Sequence, residues 1–410
     1  MKSYYPVEYL LIDIANNFGK DKLLFEERIQ WAKDNLNNLE ALADEAETKP
    51  LYIKAVQALR KAQKGEPLGH LVGLDSCSSG LQLLSVLSGC KAGAEATGLV
   101  NPNKRADAYT EITDMMNEML GGTVHVSRKD SKQALMTSLY GSKATPKRVF
   151  GEDTPELKAF YLALQKMAPG AYELLHILLK SWNPHAYYHE WKMPDGFDVK
   201  VKVMSKHKET IEVDELGHHK FTYEYYENEP VKFGLSNPAN LTHAIDSYVL
   251  RTLHRKCNYD KEMVLKAKEL LENHQALANV QPNPETKIGY YVQQYQRSTL
   301  ADIVILPWIV KEEGELYQIS QAHKDKLLEM INQMLEYEPF ELVTIHDEFK
   351  ALCGNCNYLR QQYINTLVDL ANSNLMQDLL RQLYKNDDII YLKKSDNLAK
   401  YIANSNYGIC

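Results

Sequence analysis

The chain has 410 residues, of which 44% are hydrophobic and 25% charged, so it has the composition of an ordinary globular protein with ample material for a core. A chain of this length predicts two or three domains or subdomains. No apolar run is long enough to cross a bilayer, and the apolar patch near the N-terminus lacks a cleavage site. These features exclude a membrane-spanning helix and a secretory signal peptide.

The charge balance is slightly acidic, with 47 Lys and Arg against 54 Asp and Glu and a net charge of −7. Such a chain is not expected to coat duplex nucleic acid by itself. If it handles nucleic acid, either its positive surface is local to a groove or another chain supplies it. The six cysteines are too few for a disulfide scaffold and indicate a reducing cytoplasm.

Cys353 and Cys356 form a lone Cys-Gly-Asn-Cys motif. A zinc or redox site usually needs a second such pair or nearby histidine ligands, and neither is evident here. A turn after a strand is therefore the favoured interpretation of this motif.

The first part of the chain has the hydrophobic rhythm of helices, predicted at Phe25–Glu45 and from Pro50 to Lys64. His70–Asp75 is a short apolar run that ends in an acid and predicts a buried strand. The serines that follow suit the start of a helix. Asp75 is therefore expected at the carboxyl end of a strand, where a cation could reach it, although an Asp here could also be a simple cap.

After a predicted helix at Ala106–Leu120 comes a basic stretch, Val126–Ser142. Arg128 and Lys132 are four residues apart, which places both cations on one face of a helix. Tyr140 would lie about 12 Å beyond Lys132 along the axis. Such a helix could grip a polyphosphate and cover the adjoining sugar and base. The alternative is an amphipathic helix with a solvated basic edge.

The later elements are predicted from the same signals. Two helices are expected from Pro155 to Lys180, further helices from Asn237 to Leu277, and a long helix at Ser320–Tyr337. A hairpin is expected at His189–Val203 around Pro-Asp-Gly, extended by a second alternating pair at 209–213 and 220–225. The two-proline segment Val280–Lys287 predicts a loop.

Phe340–Leu352 is apolar but is interrupted at its midpoint by His346 and Asp347. The flanking Val, Thr and Ile favour a strand, a tight turn and a second strand. A buried hairpin has little structural reason for an acid at its tip. The remainder of the chain, to Cys410, is predicted to be helical.

Two acids at strand ends, Asp75 and Asp347, are the expected ligands of two divalent ions about 3.5–4 Å apart. Magnesium prefers carboxylate and phosphate oxygens. A helix with Arg128 and Lys132 could then hold a triphosphate bound to the same ions. The chain has no glycine-rich loop before a Gly-Lys-Ser/Thr, which argues against an ordinary P-loop NTPase.

Three segments resemble the sequence motifs of the phage-type single-subunit RNA polymerases, the family of the T-seven and mitochondrial enzymes. Asp75–Gln82 resembles their motif A, Arg128–Ser142 their motif B, and Thr344–Phe349 their motif C. Trp191–Phe197 and Asn237–Arg251 also resemble family segments. The resemblance runs in the correct order over most of the chain.

The resemblance implies a helix-rich α+β fold, the palm and fingers of a right-hand polymerase, without the family's N-terminal domain and thumb. Residues 1–104 would form the first part of the palm, with motif A. Residues 105–245 would form the fingers, with the motif B helix and a hairpin insertion. Residues 246–410 would complete the palm, with motif C and a C-terminal foot.

The resemblance also implies roles for acids and cations. Asp75, Asp347 and the backbone carbonyl of Ser76 would hold two Mg²⁺ ions. One ion would activate the 3′-hydroxyl of the primer and the other would neutralise the leaving pyrophosphate. Arg128 and Lys132 would bind the triphosphate, and Lys132 is the candidate acid that protonates pyrophosphate.

Further positions would contact the nucleoside. Tyr140 would lie against the incoming NTP, with Gly80, Met136 and Gly141 also in the nucleotide site. His346 would position Asp347 and the primer end.

Family A DNA polymerases share these motifs, so the choice of nucleotide needs its own argument. Their motif A carries a Glu that blocks the ribose 2′-hydroxyl, and Gly80 stands at that place here. Met136 and Thr137 replace their Phe-Gly, as in the RNA polymerases, and both points favour ribonucleotides. A DNA polymerase or primase is the same-fold alternative. A structural subunit that has lost the chemistry is the alternative from another class.

Two features depart from the family. A family histidine is replaced by Val249, and Tyr248 is expected to take over part of its contact with the ribose 2′-hydroxyl. The Asp-x-x-Gly-Arg element that touches the template is missing, and the chain has no Gly-Arg dipeptide. The chain therefore most resembles the larger subunit of the two-chain RNA polymerases of N-four type phages.

That arrangement implies partners and a setting. A smaller second chain would carry the missing element, the thumb and the N-terminal part, and its basic surface would grip the template. The other partners would be DNA template, RNA product, NTPs and a single-strand DNA-binding accessory protein, with no membrane. The setting would be the cytoplasm of an infected bacterial host.

Overall fold

The computed structural model describes all 410 residues and has a helix-rich α+β architecture. The helices are α1 (Pro6–Ala15), α2 (Phe25–Asp34), α3 (Lys49–Gln63), α4 (Ser79–Ser88), α5 (Lys91–Ala96), α6 (Ala108–Leu120), α7 (Arg128–Ser138), α8 (Ala144–Phe150), α9 (Pro155–Met167), α10 (Pro169–Lys180), α11 (Ser236–Cys257), α12 (Lys261–Asn273), α13 (Lys287–Ser298), α14 (Leu306–Lys311), α15 (Gln321–Leu335), α16 (Cys356–Asn372), α17 (Leu375–Tyr384) and α18 (Leu398–Ile402). The strands are β1 (Leu71–Asp75), β2 (Tyr188–Lys192), β3 (Asp198–Lys202), β4 (Met204–Val213), β5 (His219–Asn228), β6 (Val343–Ile345) and β7 (Glu348–Leu352). No helix combines the length and apolarity that crossing a bilayer would require.

The sheet that positions the site has three antiparallel strands in the order β1-β7-β6. Its register places Asp75 opposite Glu348 and Val72 opposite Ala351. Val72 and Leu74 are fully buried, so β1 is anchored in the core as its apolar pattern predicted. The chain thus brings the end of β1 beside the turn between β6 and β7, although the two are far apart in sequence.

The prediction that the β6–β7 hairpin is buried is only half right. Phe349 and Ala351 of β7 are buried, but Val343 and Ile345 of β6 are exposed. The reason is that β6 is the outer strand and pairs only with β7.

A large hydrophobic core of 73 buried residues runs from Tyr4 to Cys410. At its centre is α4, in which all ten residues are buried, and which contacts α10, α11 and α16. A second core of 17 buried residues is formed by residues between Val264 and Met334. Helix α11 therefore packs directly on α4, the helix that follows β1.

The helix predicted at Phe25–Glu45 is wrong in its second half, because α2 ends at Asp34. The side-chain amide of Asn35 donates a hydrogen bond to the Trp31 carbonyl at 2.8 Å, and a turn follows. Asparagine side chains compete in this way with the helical backbone bonds. Ala41–Glu45 is a separate 3-10 segment.

The predicted hairpin around Pro194-Asp195-Gly196 is confirmed as β2 and β3. The second pair was expected to extend it, which is wrong: β4 and β5 form a separate two-stranded sheet. Val203 lies between β3 and β4, and its N–H donates a hydrogen bond to the carbonyl of Tyr187. Most residues of β4 and β5 are exposed, so the two hairpins share no buried face that would join them in one sheet.

The prediction of helix to the end of the chain is also wrong in part. Residues 385–397 contain no helix, and the last residues are extended. Ile409 forms a bridge with Ser76, and the Cys410 N–H donates to the Asp75 carbonyl at 2.9 Å. The segment thus adds to the sheet beside the end of β1. Cys353–Asn355 is a 3-10 turn directly after β7, as predicted for that motif.

Candidate active site

One cleft of about 630 Å³ lies where the end of β1, the β6–β7 turn, α7 and α11 meet. It brings together nearly all the residues that the sequence predicted for the site. The predicted residues that line it are Asp75, Ser76, Gly80, Arg128, Lys132, Met136, Tyr140, His346 and Asp347.

The acidic end of the cleft is built from β1 and the β6–β7 turn. The Ser76 hydroxyl donates a hydrogen bond to Oδ2 of Asp347 at 2.7 Å, and the Ser76 N–H donates to the Asp347 carbonyl at 3.3 Å. Asp75 precedes Ser76 and lies opposite Glu348 in the sheet. Two carboxylates from distant parts of the sequence are therefore held at one place by a serine and a strand pair.

His346 begins the tight turn with a φ of 56°, in the left-handed region. A side chain with a Cβ is strained there, at a cost of about 1–2 kcal/mol. Glycine would avoid this cost. Strain of this kind is often found at functional sites, and here it presents Asp347 and His346 to the cleft.

Asp75 is open to the water of the cleft but surrounded by protein and by other acids. Burial, followed by the nearby charges of Asp347 and Glu348, raises the pKa of Asp75 to about 7. The only ion pair among these three acids is that of Glu348 with Lys350, at 3.0 Å. Asp75 and Asp347 therefore have no cationic side chain to balance them.

The cationic wall of the cleft is α7, whose first turn is capped by the Ser127 hydroxyl, which accepts a hydrogen bond from the Asp130 N–H at 3.2 Å. Arg128 and Lys132 both lie over the ring of Tyr109, 5.6 and 5.5 Å from its centroid. The predicted placement of both cations on one helical face is thus confirmed.

The two cations differ in their partners. Arg128 donates from Nε and Nη2 to Oδ2 of Asp107, at 3.0 and 2.7 Å. Lys132 forms no ion pair with any carboxylate. A negatively charged ligand could therefore pair with the ammonium group of Lys132.

Tyr140 follows the end of α7, and its ring lies 4.7 Å from that of His243. A Cβ built on Gly80 would stand 3.0 Å from the Tyr140 hydroxyl. The space that Gly80 leaves is therefore filled by Tyr140, not by open cleft.

Two residues that were expected at the nucleotide lie outside the cleft lining. Gly141 does not line the cleft: with a φ of 86° it reverses the chain after α7, and a Cβ there would lie 3.1 Å from the Leu235 carbonyl. Tyr248, which was expected to contact the ribose, is 1% exposed and does not line the cleft. Val249 is buried as well. Both lie on the core-facing side of α11, which the local sequence did not separate from its cleft-facing side.

Tyr109, His243 and Asp246 are among the residues that line the cleft without having been predicted from the sequence. His243 and Asp246 are three residues apart on α11, so they share one helical face. Burial, and then the charge of Asp347, raises the pKa of Asp246 to about 6. The i, i+3 spacing of His243 and Asp246 among apolar residues is the sequence feature that could have identified them.

Comparisons with known proteins agree with the resemblance. Residues 5–150 match a family model described as DNA-dependent RNA polymerase. The mitochondrial DNA-directed RNA polymerase 1 of Arabidopsis thaliana is 29% identical over 170 residues, which cover 33% of this chain and 17% of the relative. The DNA-directed RNA polymerase of Pseudomonas phage phiKMV is 27% identical over 169 residues, covering 33% and 21%.

These matches span only about a fifth of the length of each relative. Within the chain, the family segment contains Asp75, Gly80 and all of α7. The predicted similarity to the phage and mitochondrial RNA polymerases is thus confirmed for the part of the chain that carries the first acid and the cationic helix.

Proposed function

We propose that this chain is the catalytic subunit of a split, single-subunit-type DNA-dependent RNA polymerase. The family match over residues 5–150 supports this proposal. The chain would transfer nucleotides from NTPs to the 3′ end of an RNA, on single-stranded or melted phage DNA. The observation that carries the proposal is the pair Asp75 and Asp347, joined through Ser76, in one cleft with the cations of α7.

The residues present fit a divalent ion. Asp75 and Asp347 offer oxygen ligands, and no Lys or Arg neutralises them. Burial, together with the neighbouring carboxylates of Asp347 and Glu348, raises the pKa of Asp75, as expected for an acid that lacks a cation beside it. Asp75, Asp347 and the Ser76 carbonyl would hold two Mg²⁺ ions, which when bound stabilise the attacking and leaving oxygens of the displacement.

The helix α7 would bind the triphosphate. Arg128 and Lys132 lie one helical turn apart, about 6 Å along the axis, so both side chains can reach a single triphosphate. Lys132 is free to bind a phosphate directly, whereas Arg128 would share its guanidinium between Asp107 and the ligand. Lys132 would then be placed to give a proton to the departing pyrophosphate.

The nucleoside would lie further along the same wall. Tyr140 and His243 form an aromatic pair at the cleft, and Met136 is 45% exposed beside them. Aromatic and methionine side chains offer flat, apolar contacts to a base or sugar. His346, in its strained turn, would position Asp347 and the primer end.

We further propose that the rest of the polymerase lies on a smaller second chain, with a single-strand DNA-binding accessory protein as recruiter. The 410 residues contain no Gly-Arg dipeptide for the template element, and their net charge of −7 suits a basic partner at the DNA. The proposed setting is the cytoplasm of an infected bacterium, with which six free cysteines agree.

The proposal is tested by RNA extension on single-stranded DNA, with the chain isolated together with its partner from infected cells. We expect Mg²⁺-dependent incorporation of NTPs that falls by about a thousandfold or more in Asp75→Asn and Asp347→Asn. Asp387→Asn, an exposed acid in a turn, is the matched control and should retain full activity. Full activity in either cleft variant would refute the proposed function.

A further inference from the structure

A second cavity lies behind the cationic helix and is separate from the cleft. It has a volume of about 270 Å³ and is bordered by the end of α7, the turn that follows it, and α8, α9 and α10. Leu139 and Tyr140 line the cleft, whereas Ser138 and Gly141 line this cavity, and no residue lines both. The proposed polymerase chemistry therefore makes no use of this cavity.

Ser138 contributes a hydroxyl that has no partner in the protein. Its side chain is only 4% exposed, and its Oγ forms no hydrogen bond. The neighbouring Thr137 donates its hydroxyl to the Gln133 carbonyl at 3.1 Å, so this helix offers such acceptors, but Ser138 does not use one. Nearly all buried polar groups are hydrogen-bonded, and leaving one without a partner is unfavourable. A ligand in the cavity would supply the partner that Ser138 lacks.

The charged side chains around the cavity are positive. Lys143 and Lys147 line it, and no Asp or Glu does, although acids outnumber bases in the chain as a whole. Lys147 pairs with Glu152, which lies outside the lining, whereas Lys143 forms no ion pair. A cavity with an unpaired ammonium group and no carboxylate attracts an anion.

The remaining lining is apolar and aromatic. Three leucines of α9 and α10 take part, of which Leu164 and Leu175 are buried. The rings of Tyr172 and His176 lie 4.4 Å apart, and the His176 Nδ1–H donates to the Tyr172 carbonyl at 2.8 Å, which holds the imidazole in place. Such a lining suits a flat ring, because water or an inorganic ion would leave the apolar surface wet.

We propose that this cavity is a binding site for a small aromatic anion. The anionic group would pair with Lys143 and accept a hydrogen bond from the Ser138 hydroxyl. The ring would pack against the leucines and Tyr172. No step of the proposed polymerase reaction uses this site, so the inference is independent of that function.

The test is isothermal titration of the full chain with benzoate, with its neutral analogue benzamide, and with acetate, which lacks the ring. We expect benzoate to bind with a Kd of about 1 mM. Benzamide should bind about tenfold more weakly, because it cannot form an ion pair with Lys143. Acetate should not bind measurably, because it has no ring to bury.

Two variants locate the site. Lys143→Gln should weaken benzoate binding about tenfold and leave benzamide binding unchanged. Ser138→Ala should weaken both several-fold. Lys180→Gln is the matched control, since Lys180 is an exposed lysine on α10 that does not line the cavity. Lys132→Ala, in the cleft, should also retain full benzoate affinity.

Both variants are expected to fold normally, because Lys143 is exposed and the Ser138 hydroxyl has no partner to lose. Thermal unfolding at the wild-type temperature would confirm this. The proposal is wrong if benzoate does not bind, or if acetate or benzamide binds as tightly as benzoate. It is also wrong if Lys143→Gln and Ser138→Ala keep wild-type affinity, or if Lys132→Ala abolishes binding, since benzoate would then occupy another place.

Discussion

The two ends of the cleft are built in different ways. The acidic end is assembled from distant segments: β1, the β6–β7 turn and the extended residues near Cys410, held by strand pairs and by the Ser76–Asp347 hydrogen bond. The cationic end lies on a single helix, α7, and its two charges are set by helical spacing alone. The first depends on the whole fold, whereas the second is a local structure.

This difference should appear in how the two ends respond to mutation. Loss of an acid removes a ligand that no neighbour replaces, while loss of one cation leaves the other on the same helical face. Five predictions test this comparison, in order of decreasing effect.

The largest of them concerns Lys132. Lys132→Ala is expected to lower nucleotide incorporation about a hundredfold, since it removes both a phosphate contact and a candidate proton donor. Single-turnover rates measured across a range of pH would show the loss. Lys129→Ala, on the same helix but outside the cleft lining, is the control. Equal losses in both variants would indicate that only the helix as a whole matters.

Gly80→Ala tests the close contact with Tyr140. The new methyl group would stand 3.0 Å from the tyrosine hydroxyl, so Tyr140 must move. We expect NTP affinity to fall about tenfold, with little change in stability because Ala is favoured over Gly in a helix. Nucleotide titrations would measure this. Gly69→Ala, where an added Cβ meets open space, should change nothing, and an unaffected Gly80→Ala would show that Tyr140 does not need its present position.

The acidic end should also respond to pH. Because the pKa of Asp75 is raised to about 7, this side chain is largely protonated in slightly acidic solution. Asp75 must lose that proton to bind a metal ion. Apparent Mg²⁺ affinity should therefore rise roughly tenfold from about pH 6 to about pH 8. Isothermal titration would measure it, and Asp75→Asn should abolish both the binding and its pH dependence.

The same shift has a consequence for folding without metal. The folded-state pKa of Asp75 is raised above its ordinary value of 3.8, so the folded protein holds this proton more tightly than the unfolded chain. The contribution of Asp75 to stability is therefore most favourable below about pH 4 and is lost as the pH rises through about 7. A metal-free protein that showed no such dependence on Asp75 would contradict the crowding of acids described above.

The smallest effect is expected at Asp107, which holds Arg128 but does not touch the proposed triphosphate contact of Lys132. Asp107→Asn should weaken the orientation of Arg128 and raise the KM for NTP by only a few fold. It keeps a side-chain acceptor for the first turn of α6, where Asp107 is the cap. Steady-state kinetics would measure it, and a loss as large as that of Lys132→Ala would show that the ion pair itself is essential.

The same contrast explains how much the sequence could predict. The helical face of Arg128 and Lys132 follows from spacing alone, and the strand ending at Asp75 follows from an apolar run. The meeting of Asp75 with Asp347 does not follow from local pattern alone: it was expected because both acids end or follow a predicted strand and because the ordered motifs resemble a family. Pairing between distant strands depends on tertiary contacts that periodicity does not encode.

The errors have physical causes of the same kind. α2 ends early because Asn35 bonds to the backbone, which outweighs a continuing apolar rhythm. Gly141, which was expected in the nucleotide site, lies outside the cleft lining, and its positive φ reverses the chain. Asp246 was overlooked because a lone acid on a helix looks like a solvated residue until the packing of α11 turns it towards the cleft.

The central claim is that Asp75 and Asp347 share bound metal ions opposite the cations of α7. The most direct test is a crystal structure of the complex with Mg²⁺ and a non-hydrolysable NTP analogue. We expect two ions about 4 Å apart between these carboxylates, with the phosphates on Arg128 and Lys132. Metal ions bound away from Asp75 and Asp347, or a nucleotide whose phosphates do not reach α7, would contradict it.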